Sequence, residues 1–501
     1  MLGPLAAAPD TAEAETRPGY GGTLRAGLLG EPVTIDPVGA RSHAELTLVS
    51  LLFDTLYRID GKNPDGSPRV VPHVAAAMPE VSRNGRVARI AIRPGIAYHD
   101  LRKLVVSDVS RSLNRLRKSP AGWILAPIES AWADGDTLVI RLARRTPELT
   151  LLLTAPQTAI TPRGRFNPGQ TWDRSVIGSG PFRLRRMSHD NRRLVLGAAP
   201  NHFAGRPYVD DLVFHWFERA EKEATDYEAG RSEMSLRGSV AFAGHKPVYR
   251  TEQVSGPVTL LAYVGFGATE AHRAITADRS FRRALSLALD RNSLRGIGTG
   301  ERVSPAIHPI PGVLGGAPVP PAARRAQIAP ARTLLNAAAR NLPLLTPDHS
   351  GVRKPEFELI IDRTRPDDRE IAEKIVAALF RLGLRARITA LPAREFRDRV
   401  DRGDCDLYID QLVAPVPRHD IAVAAAFAAG KDDWAQATLA AGPLDAEAAT
   451  RVFARRMPVI PLFHRAVRIH HRADIHGLSA ADTSLFSLDD LFLFGKAERN
   501  R

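Results

Sequence analysis

Phe357-Glu-Leu-Ile-Ile361, Asp367 to Leu382, Arg385 to Leu391, Pro392 to Gly403 and Cys405-Asp-Leu-Tyr-Ile-Asp-Gln411 follow one another with only short breaks. The first run is rich in β-formers. The second places Ile371, Ile375, Leu379 and Leu382 at helical spacing. Gly383 stands at the C′ position, where a left-handed backbone is needed. Pro392 opens a second, shorter helix and Gly403 closes it. The order is β-α-β-α-β, and short helical crossovers return the chain in the same direction, so the strands are predicted to be parallel. Ligands of such sheets bind beyond the carboxyl ends of the strands. That directs attention to the loop after Gln411, from Leu412 to His419.

Outward from this block, the chain is 501 residues long. At about 100–200 residues per domain that is roughly three domains. The net charge is +14, but Arg, Asp and Glu alternate through predicted strands, helices and loops. Without a basic stripe interleaved with aromatics, nucleic acid is not an expected partner. The single cysteine, Cys405, excludes an intramolecular disulfide and reads as a small core residue. No apolar run of about 18 residues occurs, so no transmembrane helix is expected. Residues 1–19 read as a disordered leader or the remnant of a truncated signal peptide, because Leu2 to Ala8 lacks a basic flank and a full apolar stretch.

The rest of the chain alternates. Gly21 to Leu28 reads as a strand and Ala44 to Leu56 as a helix. Arg58 to Val71 reads as a hairpin with Asn-Pro-Asp-Gly at its tip. Arg86 to Ile92 and Asp136 to Leu142 read as strands, with a helix between them capped by Ser107. Further strands are predicted around Phe182–Leu184, Leu194–Leu196, Tyr208–Glu218 and Thr259–Phe266. Helices are predicted over Arg279–Leu294, Ala329–Arg340 and Ala446–Arg455, and two last strands over Val459–Phe463 and Ala466–His470. A first domain interrupted twice gives this order, and two lobes joined by crossing strands leave a cleft.

Catalytic patterns are missing. Gly178-Ser-Gly180 has the wrong spacing for a nucleophile elbow, and Gly296-Ile-Gly-Thr-Gly300 follows a helix rather than a strand, so it is a turn rather than a dinucleotide loop. The nearest metal pattern is the tail with His464, His470, His471 and His476. The spacing along one strand face is too wide for two ligands of one ion, and these read as solvated strand histidines. No metal or cofactor is expected. Trp123, in a loop after a helix, is either a ligand anchor or a packing residue. Arg41 with His43, and Arg418 with His419, are either solvated or at the site, since both pairs follow predicted strands.

At these residues the chain resembles the large solute-binding proteins of peptide- and nickel-type ABC importers. The similarity runs from Gly21 to Phe494. It is carried by Gly21-Gly-Thr-Leu with Pro32 and Ile35-Asp36-Pro37, and by Val71-Pro-His-Val-Ala75. It continues in Ile92-Arg-Pro-Gly-Ile-Ala-Tyr-His-Asp100 with Ser107-Asp108-Val109, and in Ile177-Gly-Ser-Gly-Pro-Phe-Arg-Leu184. Phe203-Ala-Gly-Arg-Pro-Tyr-Val-Asp210, Phe281 to Arg291 and Val459-Ile-Pro-Leu-Phe463 complete it. The resemblance implies an α/β, two-lobed periplasmic-binding-protein-like fold of class II type with an extra β-rich subdomain. It implies lobe I from 20–57, 172–262 and 463–501, the β-rich subdomain from 58–171 and lobe II from 263–462. It also implies a non-enzymatic, monomeric, extracytoplasmic or periplasmic receptor that closes on a small-molecule or peptide solute and delivers it to a membrane permease.

Two departures matter. The family's Gly after the His-Asp pair is Leu101 here. Peptide receptors of the family carry an acid in the loop after the third strand that pairs with the ligand's α-amino group. Pro415 stands at that position and Leu412 at the neighbouring Trp position. An unpaired buried ammonium costs several kcal/mol, so the basic balance points to an anionic or neutral ligand. The residues expected at the ligand are Arg41, His43, Trp123, Gln411, Leu412, Pro415, Arg418 and His419. The alternative from a different class is a degenerate binding fold acting as a regulatory or interaction module; a third is a hydrolase on this fold, which the missing catalytic patterns disfavour.

Overall fold

The computed structural model describes residues 19–28, 30–163, 176–188, 190–217, 220–236, 250–295, 297, 303–340, 342, 356–480 and 485–493. Residues 1–18 of the leader and most of the Gly296–Gly300 turn lie outside the described residues.

The α/β block folds as its pattern dictates. Strand Glu356–Asp362 pairs parallel with Arg385–Leu391 on one side and Leu407–Leu412 on the other. Helix Pro366–Arg381 has Pro at its first position, where no N–H is needed. Ile371, Ile375, Leu379 and Leu382 are all buried. Gly383 has φ +80° and Gly403, closing Ala393–Arg402, has φ +76°.

Beyond Leu407–Leu412 the sheet continues antiparallel into Thr251–Phe266 and then Ile460–Arg472, 16 and 13 residues long. At about 3.3 Å per residue each runs roughly 40–50 Å, enough to traverse both lobes. The sheet then proceeds through Met234–Ser235, Thr23–Gly27, Asp211–His215, Arg193–Ala198 and Phe182–Ser188, giving eleven strands with Val303–Pro305 at the side of Ile460–Arg472. The strand expected over Thr259–Phe266 is longer in the fold, starting at Thr251. In the fold the register slips between Ser255 and Val258 and again before Leu260, so the ladder skips the proline that has no N–H to give. Likewise the two strands expected at 459–463 and 466–470 are one.

The β-rich region holds the hairpin Tyr57–Lys62/Pro68–Pro72 and a four-stranded sheet in the order Glu80–Val81, Val87–Ala91, Thr137–Leu142, Ile128–Asp134. Helix Val106–Arg117 packs on it. Ser107 does not cap this helix. The start lies at Val105, whose N–H donates to Asp108 Oδ2 at 3.3 Å, so the acid in the first turn does the capping. The apolar cluster centred on this sheet runs on into Ile421, Phe427, Leu439 and Phe453, which come from helices His419–Ala429, Trp434–Ala441 and Ala446–Arg456. Two further clusters fill the lobe around Leu24–Phe53 and the lobe around Phe281–Ile409.

Two sequence features find structural causes here. A Cβ at Gly178 would sit 1.7 Å from the Leu52 carbonyl oxygen, and one at Gly180 2.6 Å from the Phe53 nitrogen. The Gly-Ser-Gly stretch is therefore a close backbone crossing over the end of helix His43–Leu52. The tail histidines are not solvated as expected. His464 and His471 are buried and His470 is half-buried, because Ile460–Arg472 is an inner strand. Burial pushes the imidazoles of His464 and His470 down to about 4.

Leu101, at the family's glycine position, has φ +68° and is 71% exposed. A left-handed backbone costs a side-chain-bearing residue about 1–2 kcal/mol, against roughly 0.5–1 kcal/mol for glycine's extra freedom in the unfolded chain. Leu101→Gly is expected to raise stability by about 0.5–1 kcal/mol in urea unfolding. A lower midpoint would mean that the Leu101 side chain contributes more than its exposure suggests.

Candidate functional site at the seam between the lobes

The seam is organised by one carboxylate. Helix His43–Leu52 begins at Ser42, whose hydroxyl accepts the Glu45 N–H, while Glu45 Oε2 accepts the Ser42 N–H at 3.1 Å. Glu45 does more than cap. It is fully buried, and its oxygens also accept the N–H groups of Val33 (2.9 Å), Thr34 (3.1 Å) and Arg41 (3.0 Å). The loop after the first strand is thus folded around it. From the other lobe, Arg397 on helix Ala393–Arg402 reaches both oxygens, Nη1 to Oε1 at 2.7 Å and Nη2 to Oε2 at 2.8 Å. Burial by itself would raise the Glu45 pKa, but Arg397 and the backbone donors hold it below its ordinary value.

Beside this pair, Arg41 Nη1 meets Asp401 Oδ1 at 2.7 Å, with side chains 43% and 50% exposed, which limits the contact to about 0–1 kcal/mol. Deeper in, Arg365 Nη1 lies 2.6 Å from Asp410 Oδ1, and the guanidinium is 3.5 Å from Asp362 and 3.8 Å from Asp368. Asp368 is fully buried. Burial, with Asp362, Asp367 and Asp410 crowding it against the partial relief of Arg365, drives its pKa well up. Between the lobes Glu31, Arg41, Asp362, Arg365, Arg397 and Asp410 line a void of about 20 Å³, room for about one water. It lies beyond the carboxyl ends of Glu356–Asp362 and Leu407–Leu412, with three carboxylates facing three guanidiniums.

The residues named from sequence disperse. Arg41 is at this void. His43 is not on the loop but is the first residue of the helix and buried. Trp123, on the short helix Gly122–Leu125, is half-buried and packs on the cluster that joins the β-rich sheet to helices of the other lobe. Gln411 and Leu412 belong to the third strand, opposite Ala262 and Leu261, and Leu412 packs on that same cluster. Pro415 is buried at the wall of a separate cavity of about 650 Å³, formed mainly by helix His43–Leu52, the hairpin after it and the loop 202–208. Arg418 forms a two-pronged pair with Asp420 and approaches Glu148 of the β-rich region at 3.8 Å. His419 Nε2 is 2.6 Å from the Leu444 carbonyl oxygen. Arg418 and His419 thus have protein partners rather than solvent.

Sequence reasoning passed over Glu45, Arg365, Arg397 and Asp410. Ser42 followed three residues later by Glu45 is a readable capping pattern, but its partner is 352 residues away. For metals, one group of three ligand-type residues comes together among the described residues, Asp54, His73 and His202, and it includes none of the tail histidines.

The family model for bacterial extracellular solute-binding proteins, family 5 Middle, matches residues 69–434. The oligopeptide-binding protein AppA of Bacillus subtilis is 24% identical over 291 residues, 56% of this chain and 52% of AppA. The HTH-type transcriptional regulator SgrR of Photorhabdus laumondii is 29% identical over 182 residues, 36% of this chain and 31% of SgrR. In these matches the chain spans about half and a third of its relatives. The solved structure of the Escherichia coli murein tripeptide binding protein MppA has TM-score 0.76 at 19% identity, covering 94% of this chain and 98% of that one. AppA in complex with a nonapeptide gives 0.75 at 17%, covering 96% and 100%. An unliganded open form of MppA gives only 0.55, at 20% identity and 94% and 97% coverage.

Removing one partner of a buried pair costs about 3–5 kcal/mol. Glu45→Gln is expected to lower stability by about that much at pH 7. The folded-state pKa of Glu45 lies below its ordinary 4.5, so its contribution is complete above pH 4.5 and fades as pH falls through the folded value. The gap between wild type and Glu45→Gln, measured by urea unfolding, is expected to narrow below pH 4.5. A gap unchanged from pH 7 to pH 3 would show that the carboxylate charge is not its source.

Proposed function

The chain belongs to the bacterial extracellular solute-binding proteins of family 5, and from that premise we propose that it is the extracytoplasmic receptor of an ABC importer. It takes a peptide-like or other small polar solute between its lobes and delivers it to a membrane permease. Members of this family bind solutes rather than transform them, so no chemistry is assigned. Among the described residues no helix is long and apolar enough to cross a membrane.

The observation that carries the reading is the paired seam. Two strands cross between lobes, and Glu45–Arg397 and Arg41–Asp401 meet across the gap beyond the ends of the parallel strands. Hinge closure brings such groups together and buries what lies between them. The charge lining narrows the solute class. Pro415 offers no carboxylate for an α-amino group, but Asp410 and Asp362 stand at the strand ends, and Arg41 and Arg365 face them. The space between them now takes about one water and Arg365 already pairs with Asp410, so a solute enters only when the lobes part; a zwitterion then satisfies both signs, an ammonium toward Asp410 and a carboxylate toward the guanidiniums. This refines the sequence-based lean toward an anionic or neutral ligand. We further propose that the receptor acts as a monomer and has no nucleic-acid partner; arginines such as Arg365, Arg397, Arg418 and Arg291 are engaged by carboxylates and carbonyls of the same chain.

A second reading is favoured by the SgrR match: the same fold acting as the solute-sensing part of a regulator. Here a bound solute changes transcription rather than uptake.

Isothermal titration with di- and tripeptides, free amino acids and dicarboxylates is expected to find a zwitterionic ligand. Asp410→Asn is expected to weaken it by at least tenfold, or about 1.4 kcal/mol. Equal affinity in wild type and Asp410→Asn would remove Asp410 from the site, and binding of dicarboxylates alone would overturn the zwitterion assignment. Loss of solute uptake in a strain lacking the gene supports the importer. Normal uptake with a lost transcriptional response supports the regulator.

A further inference from the structure

Asp54 follows helix His43–Leu52, His73 follows strand Pro68–Pro72, and His202 lies in the loop between Arg193–Ala198 and Asp211–His215. The fold brings these three to one place. His73 Nε2 is 2.8 Å and His202 Nε2 3.3 Å from Asp54 Oδ1, and one ligand atom from each residue falls within 4.8 Å of the others. Their side chains are only 2%, 13% and 5% exposed for Asp54, His73 and His202, yet all three line the 650 Å³ cavity. We propose that Asp54, His73 and His202 are a binding site for one divalent transition-metal ion of the zinc type, outside the seam between the lobes.

The donor set suits a borderline cation: two imidazoles and one carboxylate, the three-protein-ligand arrangement that leaves a fourth position open. Around a tetrahedral ion with ligands at ~2.0–2.2 Å, donor atoms stand roughly 3.3 Å apart. The His202–Asp54 separation already has that value, and the His73–Asp54 separation needs to open by about half an ångström. The open position faces the cavity, which supplies an entry path and room for a water or a small ligand.

The surroundings hold the donors in place. The His73 N–H bonds the Leu56 carbonyl at 3.0 Å, its own carbonyl takes Arg93 Nε at 3.2 Å, and the Asp54 carbonyl takes the Ile160 N–H at 2.9 Å. Phe203 packs against both imidazoles, with centroids 4.9 and 4.8 Å away. His202 Nδ1 lies 3.2 Å from the Gly205 carbonyl oxygen. An Nδ1–H donating there leaves the Nε2 lone pair facing Asp54, the orientation a metal-bound imidazole takes. The second oxygen of Asp54, Oδ2, is buried and has no hydrogen-bond partner among the described residues. The nearby His99 is not a fourth ligand, because its Nδ1 accepts the Gly178 N–H and its Nε2 bonds the Gly180 carbonyl.

The test is calorimetry of the full chain, stripped with chelator, against zinc chloride. One equivalent is expected to bind. Affinity is expected to fall in His73→Ala and in His202→Ala by more than the ten- to hundredfold that loss of an outer partner costs. The chain has 15 histidines, so His476→Ala serves as the control and is expected to bind as wild type does. Asp54→Asn keeps the shape and removes the charge, and it too is expected to bind weakly, with circular dichroism reporting the fold. Cobalt(II) provides a second readout, a visible d–d absorption present in wild type and absent from the histidine variants. No stoichiometric zinc uptake by wild type, or affinity retained in both histidine variants, would overturn the proposal.

Discussion

A buried carboxylate must be answered, and the answer to Glu45 shapes both lobes. Four backbone N–H groups of the loop 33–42 converge on it, and the remaining demand is met by a guanidinium from the far side of the seam. Within one lobe this gives the loop its form. Across the seam it ties helix Ala393–Arg402 to that loop through Arg397. Coulomb attraction at such a site is strong because water is excluded, and the same exclusion makes either partner costly when alone. The exposed Arg41–Asp401 pair adds direction more than energy.

That constraint acts through a sheet rather than through a flexible linker. Thr251–Phe266 and Ile460–Arg472 pair with each other and, through their neighbours, with strands of both lobes, so the lobes share one hydrogen-bonded ladder. The slips around Pro257 are where that ladder is interrupted, and bulges are where strands bend. On the other side the apolar cluster around Trp123, Phe427 and Leu439 closes the contact between the β-rich sheet and the last helices. Polar pairs fix how the two sides of the seam register, and apolar burial supplies the bulk of the contact energy.

Much of this was legible in the sequence. Helical spacing of Ile371, Ile375 and Leu379, with Gly383 and Gly403 at helix ends, places the parallel block because those features are local and each demands one backbone state. The glycines at 178 and 180 read as no nucleophile elbow, and only the fold shows that they cross Leu52 and Phe53 closely. The candidate site was less legible. Arg418 and His419 follow a strand, as site residues do, but have local partners in Asp420 and Leu444. His43 looks like a loop residue until Ser42 is seen to cap the helix before it.

What the sequence determined by itself was the α/β architecture, its parallel block and its membership in a family of two-lobed binders. These follow from short-range periodicity and from motifs that keep their order along the chain. What the tertiary structure decided was which charges meet. Glu45 with Arg397, Asp410 with Arg365, and Asp54 with His73 and His202 are 352, 45, 19 and 148 positions apart. Charge pairing depends on distance in space and on burial, and neither is written in local pattern. A carboxylate that looks like a helix cap, or a histidine that looks like a turn residue, acquires its chemistry only when the fold removes water and brings its partner within about 3 Å.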